Sequence, residues 1–398
     1  MFEALDMAPP DAILGLTEAF VKDPNPKKIN LSVGVYQDAD GNTPILRTVK
    51  RAELRSLEQQ QSKDYLPING APGYGEAVRR LVFGSDHEII RNKRAVTAHT
   101  PGGTGGLRVA ADLIKQEFPH GAVWLSDPTW GNHPGIFAAA GVPTRQYPYY
   151  DADAKSLDFD AMLEALTRVH EGDFVLLHAC CHNPTGMDPD LDQWRQIAEV
   201  AAEQKWTPLF DFAYQGFADG VEEDAAGLRL FLRPGCELMV CSSFSKNFGL
   251  YNERTGALTL VAASDDAAQK ALSHVKRCIR TNYSNPPAHG AGIVTTILND
   301  PELSAEWEQE VAAMRGRING MRKLLADTLK AKGVKQDFSF LTRQRGIFSF
   351  TGLTKEQVGR LRDEYSIYIV VAGGRINVAG ITPANIDTLG DAMAEVLK

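Results

Sequence analysis

The chain has 398 residues, 43% of them hydrophobic and 23% charged, and its 42 basic and 50 acidic residues give a net charge of −8. This composition is ordinary for a globular protein and excludes disordered, collagen-like and fibrous classes. The acidic balance argues against a nucleic-acid or anionic-membrane surface, while anionic small molecules stay open as ligands. The length alone predicts two or three domains.

The cysteines and the N-terminus point to a reducing compartment. The five cysteines form an odd, sparse set, and neither they nor the nine histidines follow a zinc-binding spacing. The first residues lack the positive start of a signal peptide, since no basic residue precedes Lys22. No apolar run approaches the roughly 18 residues of a membrane span. We therefore expect a soluble, cytoplasmic protein without a metal.

Apolar runs alternate with amphipathic stretches between about residues 90 and 265, which is typical of an α/β protein with a parallel sheet. The predicted strands are Ala95–Ala98, Ala122–Leu125, Phe174–His178, Thr207–Phe212, Leu238–Cys241 and Gly256–Val261. The predicted helices among them are Leu107–Lys115, Phe159–Arg168 and Leu191–Gln204.

A long helix is predicted over Pro301–Lys332, where apolar residues recur every three or four positions from Trp307 to Leu325, Met321 among them. Two glycines interrupt the stripe, which favours a spine between two domains over a coiled coil. After it come an alternating segment at Ile347–Phe350, a helix at Lys355–Glu364 and a β-branched run at Ile367–Val371. These elements predict a second, smaller α+β unit.

A glycine-rich stretch, Thr100-Pro-Gly-Gly-Thr-Gly-Gly106, follows a predicted strand and opens a helix. Backbone N–H groups at a helix N-terminus can hold a phosphate, and the Thr104 hydroxyl adds a donor. The stretch matches neither the P-loop nor the dinucleotide-binding pattern, so by itself it is equally a simple turn.

A second polar stretch, Ser242-Ser-Phe-Ser-Lys-Asn-Phe-Gly-Leu-Tyr-Asn-Glu-Arg254, follows another predicted strand. Lys246 lies there between the hydroxyls of Ser243 and Ser245 and the guanidinium of Arg254. This combination suits a phosphate-bearing aldehyde cofactor that forms a Schiff base with the lysine. A single lysine is more often a solvated surface amine, so the assignment depends on its neighbours.

Three further strand ends supply such neighbours. Asp211 interrupts an apolar strand, and a buried carboxylate there needs a cationic partner such as a protonated pyridine nitrogen. Asn183 lies in an Asn-Pro turn and could direct its amide toward a ring, and Trp130 could cover the ring face. The structural alternatives are an ion pair for Asp211, a plain turn for Asn183 and a core position for Trp130.

Taken together, the sequence resembles the fold-type I, class I pyridoxal-phosphate aminotransferases, in the aspartate and aromatic amino-acid branch, from about Asp11 to the end. The resemblance rests on SSFSKNFGLYNER, CCHNPTG, DFAYQGF, SNPPAHGA and RINVAG. It implies a large domain over residues 45–312, with a mostly parallel seven-stranded sheet between helices. A smaller α+β domain over residues 1–44 and 313–398 would be joined to it by the helix at about 301–332.

The resemblance implies roles around the ring of pyridoxal 5'-phosphate. Lys246 would form the Schiff base and carry the proton, and Asp211 would pair with the pyridine nitrogen. Asn183 and Tyr214 would bond the phenolic oxygen, and Trp130 would stack on the ring. His133 and His178 would support Asp211.

The resemblance also implies the phosphate and substrate contacts. The phosphate would be held by Gly103, Thr104, Ser243, Ser245 and Arg254, and by Tyr65 of a second subunit. The substrate would be bound by Arg375 at the α-carboxylate, by Arg280 across the dimer at the distal carboxylate, and by Gly34, Trp130 and Asn183.

The implied activity is ping-pong transamination between L-aspartate, and also aromatic amino acids, and 2-oxoglutarate by a homodimer with shared active sites. Val35, Thr43, Thr104 and Asn285 are similar to the aspartate-preferring members, whereas Gln37 and Asp64 match neither group. An enzyme acting mainly on tyrosine and phenylalanine is the first alternative. A non-catalytic pyridoxal-phosphate-binding protein is a more distant one.

Overall fold

The computed structural model describes residues 1–7 and 14–398. Asp11, where the family resemblance begins, and the rest of residues 8–13 of the predicted small domain lie outside the described residues. No helix in the described part of the chain is both long and apolar enough to cross a membrane.

A central seven-stranded sheet confirms the predicted α/β class. The strands of the described residues are, in chain order, β1 Ile29–Asn30, β2 Ala95–Pro101, β3 Val123–Asp127, β4 Thr144–Pro148, β5 Tyr150–Asp151, β6 Ser156–Leu157, β7 Phe174–His178, β8 Thr207–Phe212, β9 Leu238–Ser243, β10 Thr255–Val261, β11 Phe348–Phe350, β12 Ile367–Tyr368 and β13 Arg375–Asn377. Each of the six strands predicted before residue 265 coincides with one of these to within a few residues.

The order of the large sheet is β2-β10-β9-β8-β7-β3-β4. All neighbours are parallel except β10, which is antiparallel to both β2 and β9. The six other strands therefore end at the same edge, and β10 begins there. The carboxyl edge of such a sheet is where α/β proteins bind ligands, because the loops that follow the strands converge there.

The edge strand β4 was not predicted from the sequence. Its residues Thr144–Pro148 are exposed except for Tyr147, because β4 has a neighbour on one side only. The inner strands β7, β8 and β9 are almost wholly buried, which gives them the continuous apolar runs that made them recognisable.

Helices cover both faces of the sheet and form much of the remaining chain. In the described residues they are α1 Leu14–Lys22, α2 Arg47–Gln59, α3 Pro72–Phe83, α4 Glu88–Arg91, α5 Gly102–Glu117, α6 His133–Ala139, α7 Phe159–Leu166, α8 Leu191–Gln204, α9 Ala226–Arg229, α10 Asp265–Asn282, α11 His289–Asn299, α12 Pro301–Ala331, α13 Lys355–Tyr365 and α14 Ile386–Val396.

Local sequence signals explain where several helices begin. Asp190 caps α8 in a capping box with Gln193, and Thr354 caps α13 in the same way with Gln357. Asp300 accepts hydrogen bonds from the first turn of α12. Helix α5 begins at Gly102, five residues earlier than predicted, because its glycine-rich first turn has no apolar periodicity.

The long helix α12 is confirmed, with one difference in its buried face. Trp307 is fully buried, stacks on Phe248 with ring centroids 4.5 Å apart, and donates its indole N–H to the backbone carbonyl of Asn247. Further along, Arg322 is buried whereas Met321 is only half-buried. Arg322 donates to the backbone carbonyls of Gly346 and Phe348. These buried acceptors explain why Arg322, and not Met321, occupies the buried face of the helix.

The elements predicted outside the large sheet form two small sheets with helices. β11 and β13 are antiparallel, and β1 pairs in parallel with β12. The β-branched run at Ile367–Val371 is a strand only over Ile367–Tyr368. The chain then turns back through Gly373 and Gly374, both with positive φ, so that Arg375 enters β13 beside the large sheet's carboxyl edge.

Candidate active site

A cavity of about 240 Å³ lies at the carboxyl edge of the large sheet, where the turns after β7, β8 and β9 meet the start of α5. All but two of the predicted site residues line it: Gly34, Gly103, Thr104, Trp130, Asn183, Asp211, Tyr214, Ser243, Ser245, Lys246, Arg254 and Arg375. Residues more than 300 positions apart in the sequence thus face one space.

The other two predicted residues lie away from this cavity. Tyr65 is 92% exposed and follows α2, and Arg280 is exposed near the end of α10, where it contacts Ser284. A single chain therefore does not bring Tyr65 or Arg280 to the site.

Asp211 is buried at the end of β8 and is held by a chain of hydrogen bonds. Its Oδ2 atom lies 3.0 Å from Nε2 of His133, and Nδ1 of His133 lies 2.7 Å from Oγ1 of Thr129. Because an ionised carboxylate only accepts, Nε2 of His133 carries a proton and donates it to Asp211, while Nδ1 is hydrogen-bonded to the Thr129 hydroxyl. Burial by itself would raise the pKa of Asp211, but the bond from His133 and the nearby Lys246 outweigh it, so this pKa is lowered and Asp211 is ionised.

Lys246 is the amine of the cavity. Its Nζ atom lies 4.8 Å from the ring centroid of Tyr214. Burial lowers the pKa of the Lys246 ammonium to about 8, while Asp211 opposes this shift and Arg254 adds to it. A substantial fraction of neutral amine is consequently available near physiological pH, as a nucleophile or general base requires.

Hydroxyl and guanidinium donors surround the start of α5. Ser243 and Ser245 lie with their Oγ atoms 3.3 Å apart, and Arg254 donates to the hydroxyl of Ser245 at 3.3 Å. The N-cap residue Pro101 makes no side-chain hydrogen bond to the first turn of α5. Gly103 and Thr104 of that turn line the cavity, so the uncapped N–H groups of the helix start lie beside it. Hydroxyls, a guanidinium and a helix N-terminus form a donor set suited to a phosphate.

Gly102 makes this arrangement possible. Its φ is +73°, and a Cβ atom built there would lie 2.5 Å from Nη2 of Arg254. Only glycine accommodates both the backbone conformation and the close approach of the guanidinium.

Arg375 forms a second cationic region opposite Lys246. Its Nη2 donates to the carbonyl of Ser32 at 2.7 Å, and Nη1 lies 3.5 Å from Oδ1 of Asn183. The guanidinium lies 4.0 Å from the ring centroid of Phe348. Its Nε atom is buried and has no hydrogen-bond partner among the described residues. Burial lowers the pKa of Arg375 to about 10, which leaves it positively charged and short of acceptors.

The cavity also contains residues that sequence reasoning did not assign. Tyr251 and Phe348 line it, with Leu107 and Ala213. The Tyr251 hydroxyl accepts the backbone N–H of Tyr36 at 2.9 Å. Tyr251 belongs to the same polar stretch as Lys246, and its position there was an available signal. Phe348 lies in a segment read only as a strand, and no local pattern marks it as a site residue.

Comparison with known proteins agrees with this geometry. The profile of the aminotransferase class I and II family matches residues 26–393. The chain is 54% identical to an aspartate aminotransferase of Escherichia coli strain K12 over the whole of both chains. It is 46% identical to an aromatic-amino-acid aminotransferase of Pseudomonas aeruginosa, covering 99% of this chain and 98% of that one.

A solved structure gives the same result. The crystal structure of an aromatic-amino-acid aminotransferase from Burkholderia pseudomallei, covalently bound to pyridoxal phosphate, has a TM-score of 0.97 and 48% identity, with both chains covered completely. The chain therefore belongs to the class I and II aminotransferase family, as the sequence motifs predicted.

Replacing Gly102 tests the phosphate-binding donors. Gly102→Ala should weaken binding of inorganic phosphate by about tenfold or more, because the added Cβ takes the place of Nη2 of Arg254 and displaces this phosphate donor. Isothermal titration calorimetry measures the affinity. Gly131→Ala is the matched control, since a Cβ at Gly131 meets nothing within 4 Å. Equal affinities in the two variants would contradict this assignment.

The lowered pKa of Lys246 predicts a pH-dependent stability of the protein before any ligand is bound. Between pH of about 8 and 10.5 the unfolded chain binds more protons at Lys246 than the folded chain, so stability contributed by this residue rises with pH. Lys246→Met should therefore be more stable than wild type at neutral pH, by a margin that shrinks toward about pH 10. Urea unfolding at several pH values measures it, with the exposed Lys115→Met as control. A margin independent of pH would show that Lys246 is not buried as a costly ammonium.

Proposed function

We propose that this chain transfers the amino group between L-aspartate and 2-oxoglutarate with pyridoxal 5'-phosphate, and also accepts aromatic amino acids. The observation that carries the proposal is the pairing, in one cavity, of an amine whose pKa is lowered with a buried ionised carboxylate. The relatives named aspartate aminotransferase support the choice of aspartate.

The donor set fits pyridoxal phosphate at both ends. The start of α5 with Ser243, Ser245 and Arg254 suits the phosphate, and Asp211 suits the ring nitrogen. When bound, this cofactor supplies an aldehyde that condenses with amines and a ring that accepts the electron pair of the substrate's α carbon.

Lys246 is proposed to attach the cofactor and then to move the proton. Its lowered pKa supports both tasks, because a neutral amine can attack a carbonyl and can accept a proton from carbon. The Tyr214 ring against Nζ limits where the amine can move.

Asp211 is proposed to keep the ring nitrogen protonated. The hydrogen bonds from Thr129 through His133 fix the carboxylate's orientation and stabilise its charge. Asn183 and Tyr214 are proposed to donate to the ring oxygen, and Trp130 to cover the ring face.

Arg375 is proposed to bind the α-carboxylate of the substrate. The unpartnered Nε atom and the planar guanidinium support this role, because a carboxylate can accept two parallel hydrogen bonds from such a fork. Gly34 lies at the same wall, where a Cβ would come within 2.6 Å of Phe348. Glycine there leaves room for the substrate's backbone atoms.

A homodimer with shared active sites is part of the proposal. Tyr65 and Arg280 are exposed in the single chain, so a partner subunit would bring Tyr65 to the phosphate and Arg280 to the distal carboxylate. The division into a large domain at 45–312 and a small domain at 1–44 and 313–398 belongs to the same proposal, as does a cytoplasmic location. Arg375 in β13 and Lys246 after β9 would then face each other across a domain boundary.

Aromatic amino acids as the main substrates form the second candidate function. The apolar walls contributed by Leu107, Trp130 and Phe348 favour it, as does the similarity to aromatic-amino-acid aminotransferases. Comparison of kcat/KM for aspartate and tyrosine, each with 2-oxoglutarate, separates the two candidates.

The central test is an assay of the purified protein loaded with pyridoxal phosphate. We expect a pH-dependent absorption band and transfer from aspartate to 2-oxoglutarate, and Lys246→Ala should lower kcat by several orders of magnitude while cofactor remains bound. The exposed Lys115→Ala is the control. Absence of the band would overturn the cofactor assignment, and a band without transfer would favour a non-catalytic binding protein.

Co-expression of two inactive variants tests the shared site. If Arg280 acts across the dimer, a heterodimer of Lys246→Ala and Arg280→Ala subunits contains one intact site, and random pairing should restore about a quarter of the wild-type activity toward aspartate. If Arg280 serves its own subunit, no intact site forms. No recovery from a mixture in which heterodimers are detected would contradict the shared-site proposal.

A further inference from the structure

Two carboxylates, Asp224 buried and Asp188 half-buried, lie outside the lining of the cavity. Asp188 follows the turn after β7, and Asp224 lies ten residues beyond Tyr214 in the turn after β8. Neither residue lines the active-site cavity. Both accept hydrogen bonds from the backbone of the turns that carry site residues.

Asp188 organises the turn that contains Asn183. Its Oδ2 accepts the backbone N–H of Cys181 at 2.6 Å, and its Oδ1 accepts the N–H of His182 at 2.8 Å. Cys181 has a φ of +52°, an uncommon conformation for a residue other than glycine. The two bonds hold that conformation two residues before Asn183.

Asp224 organises the turn that follows Tyr214. Its two oxygens accept four backbone N–H groups, those of Gly216, Ala218, Asp219 and Gly220, at 2.8 to 3.2 Å. Burial raises the pKa of Asp224, and the four backbone N–H groups oppose this shift. Each of these hydrogen bonds favours the carboxylate form and holds the turn around it. The backbone is thereby fixed from two residues after Tyr214 onward.

The two turns are also joined to each other. The thiol of Cys180, in the turn after β7, donates to Oδ2 of Asp224 at 3.7 Å. The Sγ atoms of Cys180 and Cys181 and a carboxylate oxygen of Asp224 all lie within 4.8 Å of one another. We call Asp188, Asp224 and Cys180 the carboxylate brace.

We propose that Asp188 and Asp224 are positioning residues that set where Asn183 and Tyr214 present their donors to the cofactor. This inference rests on the proposed function, in which Asn183 and Tyr214 bond the ring oxygen of pyridoxal phosphate. The brace acts through backbone geometry: the two donors come from different turns, and the brace fixes each turn and links them. An asparagine in place of Asp224 would present an amide NH₂ to backbone donors and loosen the turn.

The test is a spectrophotometric pH titration of the loaded enzyme. Hydrogen bonds from Tyr214 and Asn183 stabilise the anionic form of the ring oxygen, so loosening them should raise the pH midpoint of the absorption band. Asp224→Asn and Asp188→Asn should each raise it by about half a unit or more. Tyr214→Phe should move it in the same direction and serves as the positive control. The exposed Asp192→Asn should leave the midpoint unchanged.

The outcomes separate this inference from the proposed function. If wild type has no pH-dependent band, the proposed function fails. If Tyr214→Phe shifts the midpoint and folded Asp188→Asn and Asp224→Asn do not, the brace inference is overturned. Urea unfolding establishes that each variant folds.

A milder variant decides the matter if Asp224→Asn does not fold. Cys180→Ala keeps both carboxylates and removes only the link between the turns, so a smaller shift in the same direction is expected. A wild-type midpoint in Cys180→Ala would then overturn the inference. In the Asp188→Asn, Cys180→Ala double variant the shift of the midpoint should differ from the sum of the two single shifts. Such non-additivity is expected because the two residues belong to one network.

Discussion

The ionised carboxylate of Asp211, buried at the end of a central strand, is the constraint on which the cavity depends. A buried charge without partners is unfavourable, and the imidazole of His133 stabilises the Asp211 carboxylate through a hydrogen bond. A second hydrogen bond, to Thr129, orients this imidazole. This chain of bonds extends from α6 to β8. The same negative charge favours the ammonium form of Lys246 against the opposing effect of burial. The acid and the amine are therefore coupled in charge before any ligand arrives.

The cavity has the opposite sign to the molecule as a whole. The chain has a net charge of −8, yet the lining of the cavity combines Lys246, Arg254 and Arg375 with the single carboxylate of Asp211. Such local excess of positive charge attracts phosphates and carboxylates even when the surrounding surface is acidic. The net charge of −8 therefore reflects the whole chain, whereas the cavity lining is locally positive.

Helix α12 contacts segments on two sides of the cavity. Near its start, Trp307 holds the segment after Lys246 through the carbonyl of Asn247. About four turns after Trp307, Arg322 holds the strand that carries Phe348. Phe348 in turn packs on Arg375. One helix thus contacts the segment that carries Lys246 and, through Phe348, the side of the cavity formed by Arg375.

The sequence by itself determined the inner strands, the long helix and most of the cavity lining. Buried parallel strands such as Phe174–His178 require uninterrupted apolar runs, and polar residues at their ends stand out against them. The edge strand Thr144–Pro148 was not predicted, because a strand with one neighbour is largely exposed and does not need an apolar run.

Only the tertiary structure decided which distant groups meet. Arg322 replaces Met321 in the buried face of α12 because it donates there to the carbonyls of Gly346 and of Phe348 in β11. Phe348 becomes a wall of the cavity because β11 pairs with β13, which carries Arg375. Asp188 and Asp224 each hold one turn through backbone N–H groups, which have no signature in residue type. Periodicity and strand-end chemistry are local and can be read along the chain, whereas these contacts exist only once the chain has folded back on itself.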